Sequence, residues 1–261
     1  MNRNIVLFDL DGTLTPPRKQ ITSKNIQAIK ALSRIADVGI VTGSGISYVK
    51  EQIPKDVSID IEIFPCNGTQ HWRLSGSDWL EIDSGPSMKD FLGQSNYNNL
   101  LLELDQYQRY MMMSHDLPYT GTFISYRKSL LNWCPVGRDA NDEERLAFEK
   151  LDLKIGLRAG LLEKLKSRFE SLYPKKALSI KLGGSTSFDI FPQGWDKRYA
   201  LTRIENKVPW FVGDRCGPGG NDQEIFEALS HDSRSFETSS EKETELIIYD
   251  IISTLKLLSK N

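Results

Sequence analysis

Short apolar runs alternate with amphipathic stretches in the first part of the chain. Residues 5–8 form an apolar run that ends in acidic residues and a glycine, which is typical of a buried strand leading into a loop. Thr22 is a good helix cap, and apolar positions recur at helical spacing from 26 to 32 before a second apolar run at 38–41. A strand, a helix and a strand in this order predict a parallel pair of strands.

The same alternation returns near the end of the chain. The pattern there predicts a helix, a strand and two further helices, at residues 198–204, 208–212, 223–229 and 241–258. A second set of α/β units is therefore expected.

The middle of the chain has a different character. A hairpin is predicted over 122–127 and 130–135, and long helical stretches lie around 98–107 and 141–172. We therefore expect an α/β protein with a doubly wound parallel-sheet core. The expected core comprises residues 1–84 and 191–261, and residues 85–190 form an inserted α+β domain.

The composition restricts the classes of protein. With 261 residues, 39% hydrophobic and 26% charged, the chain is long enough for one or two globular domains with a sizeable core. Its 33 basic and 35 acidic residues nearly balance, which argues against nucleic acid or an anionic membrane as a partner. Three widely spaced cysteines and a short first apolar run favour free thiols and no signal sequence or membrane span. A soluble, cytoplasmic protein is expected.

Two carboxylates follow the first predicted strand, in Phe8-Asp9-Leu10-Asp11-Gly12-Thr13. Side chains two residues apart on an extended chain point to the same side, so Asp9 and Asp11 are expected to face the same opening at the end of the strand. A carboxylate attacks a phosphoryl group only when both negative charges are neutralised, which requires a hard divalent cation such as Mg²⁺ with oxygen ligands. Asp9 is then the nucleophile and a metal ligand, whereas Asp11 supplies its backbone carbonyl to the metal and its side chain to proton transfer.

This motif resembles the signature of the haloacid dehalogenase superfamily, which has a Rossmann-like core and often a cap domain. The resemblance implies a hydroxyl after the second strand, then a lysine, then acidic metal ligands after a later strand. The chain has Thr42-Gly43-Ser44, Lys197, and Asp214 with Asp222 in these places. Together with Asp9 and Asp11, the last two complete the expected metal ligands.

Each of these residues has a physical role in such a site. A hydroxyl and backbone amides hold phosphate oxygens, the ammonium group neutralises an aspartyl phosphate, and the carboxylates bind the metal. Taken singly, each also has an ordinary explanation as a helix start, one of 33 basic residues or a turn. Their order, and their placement at strand ends where open parallel sheets bind ligands, favours the functional interpretation.

Several longer stretches resemble the α-phosphomannomutase family in particular. They occur in both the core and the insert, so the resemblance extends over nearly the whole chain. The matching stretches are residues 9–18, 121–127, 135–138, 143–145, 187–192, 194–199 and 213–222.

The resemblance implies a mutase that moves phosphate between the 1- and 6-positions of mannose, and often of glucose, through a hexose 1,6-bisphosphate. Such an enzyme needs a second anion site, because one phosphate is held at a distance while the other reacts. Guanidinium groups suit this role because they bind phosphate oxygens in pairs. The resemblance assigns phosphate or sugar binding to Arg18, Arg127, Arg138, Arg145, Ser187 and Asp189. It also implies Mg²⁺, the bisphosphate as activator, and a homodimer formed through the insert.

The chain departs from the family at several positions. Thr42 and Gly45 replace the outer residues of the usual Gly-Gly-Ser-Asp, and Thr120 replaces a basic residue. Ala228 replaces an acidic ligand of the family's second, structural cation site. Thr42 is more typical of the sugar phosphatases of the superfamily.

Two alternatives to a mutase therefore stay open. One is a sugar phosphate phosphatase, in which water takes the phosphoryl group from Asp9. The other is a non-catalytic sugar-phosphate sensor, against which the intact Asp9, Asp11 and Lys197 argue. Each arginine also has an ordinary explanation as a surface ion pair, and Arg145 follows Glu143 and Glu144 on a predicted helix.

Overall fold

The first strand, helix and strand form where the apolar pattern predicts them. In the computed structural model, which describes residues 3–204 and 206–259 except the side chain of Asp56, β1 is Arg3–Phe8, α1 is Ser23–Leu32 and β2 is Asp37–Val41. The Thr22 hydroxyl accepts a hydrogen bond from the third residue of α1 at 3.2 Å, which caps the helix. β1 and β2 pair in parallel, as predicted.

No bounds were predicted for the elements between β2 and the insert, although a helix start was considered at Thr42 and Ser44. The elements are α2 (Ile46–Gln52), a 3-10 turn (Lys55–Val57), β3 (Ile61–Phe64), β4 (His71–Ser75) and β5 (Asp78–Asp83). β3 extends the sheet in parallel, whereas β4 and β5 add an antiparallel hairpin at its edge. Elements this short leave little periodicity in the sequence.

The insert contains the predicted hairpin and helices together with elements that were missed. In order they are α3 (Met88–Leu92), α4 (Gln94–Ser114), β6 (Ile124–Tyr126), β7 (Leu131–Trp133), α5 (Asp142–Ile155), α6 (Leu157–Leu172), β8 (Leu178–Gly183) and β9 (Ser187–Pro192). The helical stretch predicted over 141–172 is two helices, because Gly156 takes a left-handed φ of +64° between them.

The last quarter of the chain returns to α/β units. It contains a 3-10 helix (Lys197–Arg203), β10 (Lys207–Gly213), α7 (Gln223–Ser230), β11 (Ser235–Glu237) and α8 (Glu241–Leu258). The predicted strand and the last two predicted helices are confirmed. The first predicted helix of this region is 3-10 rather than α, and it begins one residue earlier.

The seven-stranded sheet of the core has the order β11-β10-β1-β2-β3-β4-β5. Alternate residues of β1 face opposite sides, since Val6 belongs to the apolar cluster formed with α1 and α8, and Leu7 to the cluster formed with the 3-10 helix and α7. The sheet is therefore covered on both faces, as the predicted doubly wound core requires. Among the described residues, no helix is long and apolar enough to cross a membrane.

The insert has its own antiparallel sheet, in the order β6-β7-β9-β8. Trp133 of β7 stacks on Phe188 of β9 with ring centroids 5.0 Å apart, and its indole N–H donates to Gln108 of α4 at 2.9 Å. Because side chains alternate along a strand, the neighbouring pair Asn132 and Asp189 lies on the opposite face from α4.

Contacts between residues divide the chain into two compact units. The first ends at Gly85 and resumes at Trp195, and the second is Pro86–Gly194. The second boundary lies four residues after the one expected at 190, because β9 continues to Pro192. We call the two units the core and the cap.

Candidate active site

Asp9 lies directly after β1, the central parallel strand of the core. Its backbone N–H donates to Val212 of β10 at 2.9 Å, so the pairing of the two strands continues through this residue. The side chain is only 7% exposed. A carboxylate is therefore held at the carboxyl edge of the sheet with little access to water.

Lys197 provides the positive charge beside Asp9. Its side chain is fully buried, and its Nζ lies 2.5 Å from Asp9 Oδ1 and 2.5 Å from Asp222 Oδ1. Burial alone lowers the pKa of Lys197, but the charges of Asp222 and Asp9 outweigh it and raise this pKa above its usual range. The lysine is thus a fixed cation between two carboxylates.

Asp9, Asp214 and Asp222 form an acidic cluster. One carboxylate oxygen from each lies within 4.8 Å of the others. Burial raises the pKa of Asp9 well above its usual range, and the charges of Asp222 and Asp214 add to this although Lys197 opposes it. Burial and the charge of Asp222 likewise raise the pKa of Asp214. Lys197 contacts two of the three carboxylates, and Arg215 Nε lies 3.7 Å from Asp214 Oδ2, so three carboxylates face two cations and the cluster has an excess of negative charge.

The loop after β1 and the segment 214–222 allow the acidic residues of this cluster to approach one another closely. A Cβ on Gly12, whose φ is +86°, would lie 2.7 Å from Asp214 Oδ2, so only glycine allows this carboxylate to approach the first loop. Asp222 Oδ2 accepts from the backbone N–H of Arg215 at 3.1 Å, and its own N–H donates back to Arg215 at 3.2 Å. The segment 214–222 is therefore folded back on itself, which brings both acidic residues together.

Asp11 lies outside the acidic cluster, and its carboxylate has different partners. Asp11 Oδ1 accepts from the backbone N–H of Arg18 at 2.8 Å, from Gln52 Nε2 at 3.2 Å and from the Tyr48 hydroxyl at 3.3 Å. Gln52 is buried, and its carbonyl oxygen accepts from the Thr15 hydroxyl at 2.6 Å. The side chain with the expected proton-transfer role is thus oriented by three donors.

The sequence did not indicate Tyr48 and Gln52 as site residues. They lie four residues apart on α2, so they project from the same face of the helix. This spacing could have indicated them, but the sequence analysis gave the helix no bounds, so the two residues were not recognised as sharing one of its faces.

Thr42, Gly43 and Ser44 follow β2, whose carboxyl end lies at the same edge of the sheet as that of β1. The Thr42 hydroxyl accepts from the Ser44 N–H at 3.1 Å. The Ser44 carbonyl accepts from the N–H of Cys66 at 2.9 Å. The predicted phosphate loop is thus held by the Thr42 hydroxyl and by a backbone contact with Cys66, and Gly45 caps α2 without a side chain.

Within the cap, three of the predicted substrate-binding residues meet at Asn132, which the sequence did not indicate. Asn132 Nδ2 donates to Asp189 Oδ1 at 2.7 Å and to Ser187 Oγ at 3.1 Å. Its Oδ1 accepts from Arg138 at 3.0 Å. Arg127 is placed separately, at the turn between β6 and β7.

Arg145 lies in the first turn of α5, and Arg18 lies in the core. Glu144, beside Arg145, completes a capping box with Asn141 and accepts from the Thr120 hydroxyl at 2.7 Å. The position at which the family usually has a basic residue is therefore occupied by a threonine paired with this glutamate.

A model of the eukaryotic phosphomannomutase family matches residues 25–254. The chain belongs to this family. The phosphomannomutase of Dendrobium officinale is 38% identical over 227 residues, which cover 86% of this chain and 85% of the relative. The phosphomannomutase of Spinacia oleracea is 35% identical over 251 residues, which cover 94% and 96%. The predicted family resemblance is confirmed, and the chain is an enzyme of the phosphotransferase and isomerase type.

Solved structures support the predicted fold. A haloacid dehalogenase-like hydrolase from Bacteroides thetaiotaomicron has a TM-score of 0.56 and 15% identity, with 95% of this chain and 99% of that chain covered. The IMP-nucleotidase of Plasmodium falciparum has a TM-score of 0.63 and 11% identity, with 97% and 68% covered. At these identities the likeness concerns the fold alone, and the predicted haloacid dehalogenase-like fold class is confirmed.

Proposed function

We propose that this chain interconverts mannose 1-phosphate and mannose 6-phosphate, through an aspartyl phosphate on Asp9 and a hexose 1,6-bisphosphate. The observation that carries the proposal is the buried Asp9 carboxylate beside Lys197 at a sheet edge, in a member of the phosphomannomutase family. A carboxylate next to a fixed cation is suited to accept a phosphoryl group, since the ammonium offsets the negative charge of the incoming phosphate.

The acidic cluster fits a magnesium ion. Its donors are all oxygens, which hard divalent cations prefer, and three carboxylates exceed the combined charge of Lys197 and Arg215. Asp9, Asp214, Asp222 and the backbone carbonyl of Asp11 would hold the ion. When bound, Mg²⁺ supplies further neutralisation of the transferring phosphoryl group.

The transfer step uses Asp9 and Asp11 in separate roles. An Asp9 oxygen forms a bond to phosphorus, and the bond between phosphorus and the sugar oxygen breaks. In the other direction, the 6-hydroxyl of mannose 1-phosphate gives its proton to Asp11 and bonds to the phosphorus of phosphorylated Asp9, while the bond between Asp9 and phosphorus breaks, which forms the bisphosphate. When the bisphosphate has turned round and Asp9 takes its 1-phosphate, Asp11 returns the proton to the departing sugar oxygen. Its Oδ1 is held by Gln52, Tyr48 and an amide, which supports a fixed direction for this proton transfer.

The remaining predicted residues would bind the substrate. We propose that Thr42, Gly43 and Ser44 bind the reacting phosphate through hydroxyl and amide groups. The distal phosphate and the sugar would be bound by Arg18, Arg127, Arg138, Arg145, Ser187 and Asp189. The polar cluster around Asn132 supports the sugar-binding role of the last two. The homodimer and the cytoplasmic location stay predictions.

A product assay tests this function directly. The purified chain receives mannose 1-phosphate, Mg²⁺ and a trace of hexose 1,6-bisphosphate, and mannose 6-phosphate is the expected product. Asp9→Asn should abolish turnover while binding of mannose 1-phosphate stays measurable. Free mannose and inorganic phosphate as sole products would reject the mutase.

The phosphatase is the second candidate, and residues 42 and 45 favour it. The Thr42 hydroxyl takes part in the phosphate loop, and Gly45 has no carboxylate at the start of α2. If this alternative is correct, the bisphosphate would not affect the rate, because water is then the acceptor. Tight binding of a hexose phosphate without any turnover would instead favour the sensor.

A further inference from the structure

A single buried amide connects three predicted substrate-binding residues of the cap. Asn132 donates to Asp189 and Ser187 through Nδ2 and accepts from Arg138 through Oδ1, at 2.7, 3.1 and 3.0 Å. We propose that Asn132 is a positioning residue for hexose phosphate recognition, which sets the orientation of these three side chains. The inference rests on the proposed function, since it assigns their ligand to that reaction.

Asn132 acts through its neighbours rather than by touching the ligand. It is only 2% exposed, which leaves almost no surface for a sugar or a phosphate. Asp189 and Ser187 are themselves buried at 6% and 8% exposure, and a carboxylate at this depth requires donors. The amide supplies one to each of them.

The direction of the amide matches the charges on either side. Its oxygen faces the Arg138 guanidinium and its NH₂ group faces the Asp189 carboxylate. Without an amide between them, the opposite charges would be drawn into a direct pair, and the guanidinium would offer fewer N–H groups to a phosphate. The neutral Asn132 amide thus separates the two charges, so that Arg138 can bind a phosphate and Asp189 can bind a sugar hydroxyl.

The surrounding backbone fixes the same arrangement. The Ser187 hydroxyl donates to the Gly183 carbonyl at 2.7 Å. A Cβ on Gly183 would lie 2.9 Å from Ser187 Oγ and 2.9 Å from Asp189 Oδ2. The end of β8 therefore packs directly against both side chains, and it sets their rotamers together with Asn132.

Asn132→Asp is the most informative substitution. It keeps the shape of the side chain but replaces the hydrogen-bond donor to Asp189 with a negatively charged acceptor. The introduced carboxylate would replace the donor 2.7 Å from Asp189 and would pair with Arg138. Loss of a charge-assisted hydrogen bond corresponds to roughly a ten- to hundred-fold rise in KM for mannose 1-phosphate. The change in kcat should be smaller, because the reacting atoms lie at Asp9.

The pH dependence separates positioning from a merely structural role. Two carboxylates this close share a proton, so acid would restore a donor toward Asp189. The other charged groups here are Arg138 and Lys181, which pairs with Asp189 in the ladder of β8 and β9. The ratio of the Asn132→Asp KM to the wild-type KM should therefore fall as the pH is lowered. Asn132→Ala should raise KM by a similar factor at every pH.

Gln108→Glu is the matched control. This amide is also buried, and it contacts the same sheet from the α4 side through Trp133 and the Pro135 carbonyl. It should lower the unfolding temperature of the protein while leaving KM and its pH dependence unchanged.

The experiment measures kcat and KM over a pH series, mannose 1-phosphate binding by calorimetry, and thermal unfolding, for the wild type and all three variants. A raised, pH-dependent KM in Asn132→Asp alone supports the proposal. The proposal would be overturned if Asn132→Asp left KM unchanged, or if Asn132→Asp and Gln108→Glu changed KM equally. A wild type that binds mannose 1-phosphate without converting it would reject the proposed reaction, and the binding constants would still decide the role of Asn132. A wild type that does not bind it would reject both.

Discussion

Lys197→Met tests whether one ammonium group holds the acidic cluster together. The Lys197 side chain is fully buried, and its Nζ lies 2.5 Å from both Asp9 and Asp222. Methionine keeps an unbranched apolar stem of similar length and removes the charge. Removing one partner of a buried ion pair lowers the unfolding free energy by about 3–5 kcal/mol.

A second estimate bounds this loss. An aspartate with an ordinary pKa of about 3.9 escapes its buried charge by taking up a proton, which costs about 4 kcal/mol at about pH 7. Asp9 and Asp222 both lose their cation in this variant. Neighbouring carboxylates share one proton, so the cost of protonation stays at about 4 kcal/mol and does not double. We therefore expect a loss of about 3–5 kcal/mol in the metal-free protein.

The loss should shrink as the pH falls, because protonation of the orphaned carboxyl then requires less work. Lys197 itself does not contribute to this trend. Burial lowers its pKa, but the charges of Asp222 and Asp9 raise it above its usual value, so its stabilisation is fully present below about pH 10. The pH trend therefore reports on the two carboxyls.

Urea unfolding in chelator, followed by circular dichroism at one mildly acidic and one mildly basic pH, measures both effects. Lys207→Met is the matched control, because Lys207 Nζ also contacts two carboxylates, at 3.0 Å to Asp37 and 3.7 Å to Glu62, but its side chain is 27% exposed. Its loss should stay below about 1 kcal/mol. Equal losses for the two variants would refute the reasoning. In assays with Mg²⁺, Lys197→Met should also lower kcat by at least about 10²-fold.

Three further substitutions test other parts of the core. Gln52→Leu removes a donor to Asp11, so kcat should fall by about tenfold with a smaller change in KM, and steady-state kinetics would show it. Gly45→Asp has open space, since nothing lies within 4 Å of an added Cβ; it should raise the ratio of mannose 6-phosphate to inorganic phosphate, and an unchanged ratio would show that this position does not control hydrolysis. Burial raises the pKa of Glu62, but hydrogen bonds from His71 and Arg73 hold it at about 2. Glu62→Gln should therefore reduce the unfolding free energy by about 1–3 kcal/mol above about pH 4.5, with the difference vanishing as the pH falls toward about 2.

The core site could be predicted from the sequence by strand position together with family resemblance. Asp9 and Asp214 follow parallel strands, whose carboxyl ends meet at one edge of the sheet, whereas the resemblance to the haloacid dehalogenase superfamily added Lys197 and Asp222 to the predicted site. All four come together in the structure. Their roles in catalysis stay predictions, as do those of the cap residues.

Residues that act through pairing of distant segments could not be predicted. Asn132 lies 57 residues before Asp189. Its role depends on the register of β7 with β9, which the sequence does not indicate. In isolation it is a polar residue beside a tryptophan in a short strand. Tyr48 and Gln52 were missed for a local reason, since α2 has only seven residues and too little periodicity to be recognised.

The hairpin that ends the core sheet bears on self-association. β5 is an outermost strand, and its Leu80 and Ile82 are 46% and 49% exposed. Such an edge is a template for pairing with another chain, and natural sheets avoid this by placing charges along it. Asp78 and Glu81 are exposed on the same strand. At neutral pH their charges would meet like charges in an edge-to-edge pair of copies, which opposes aggregation through this edge strand.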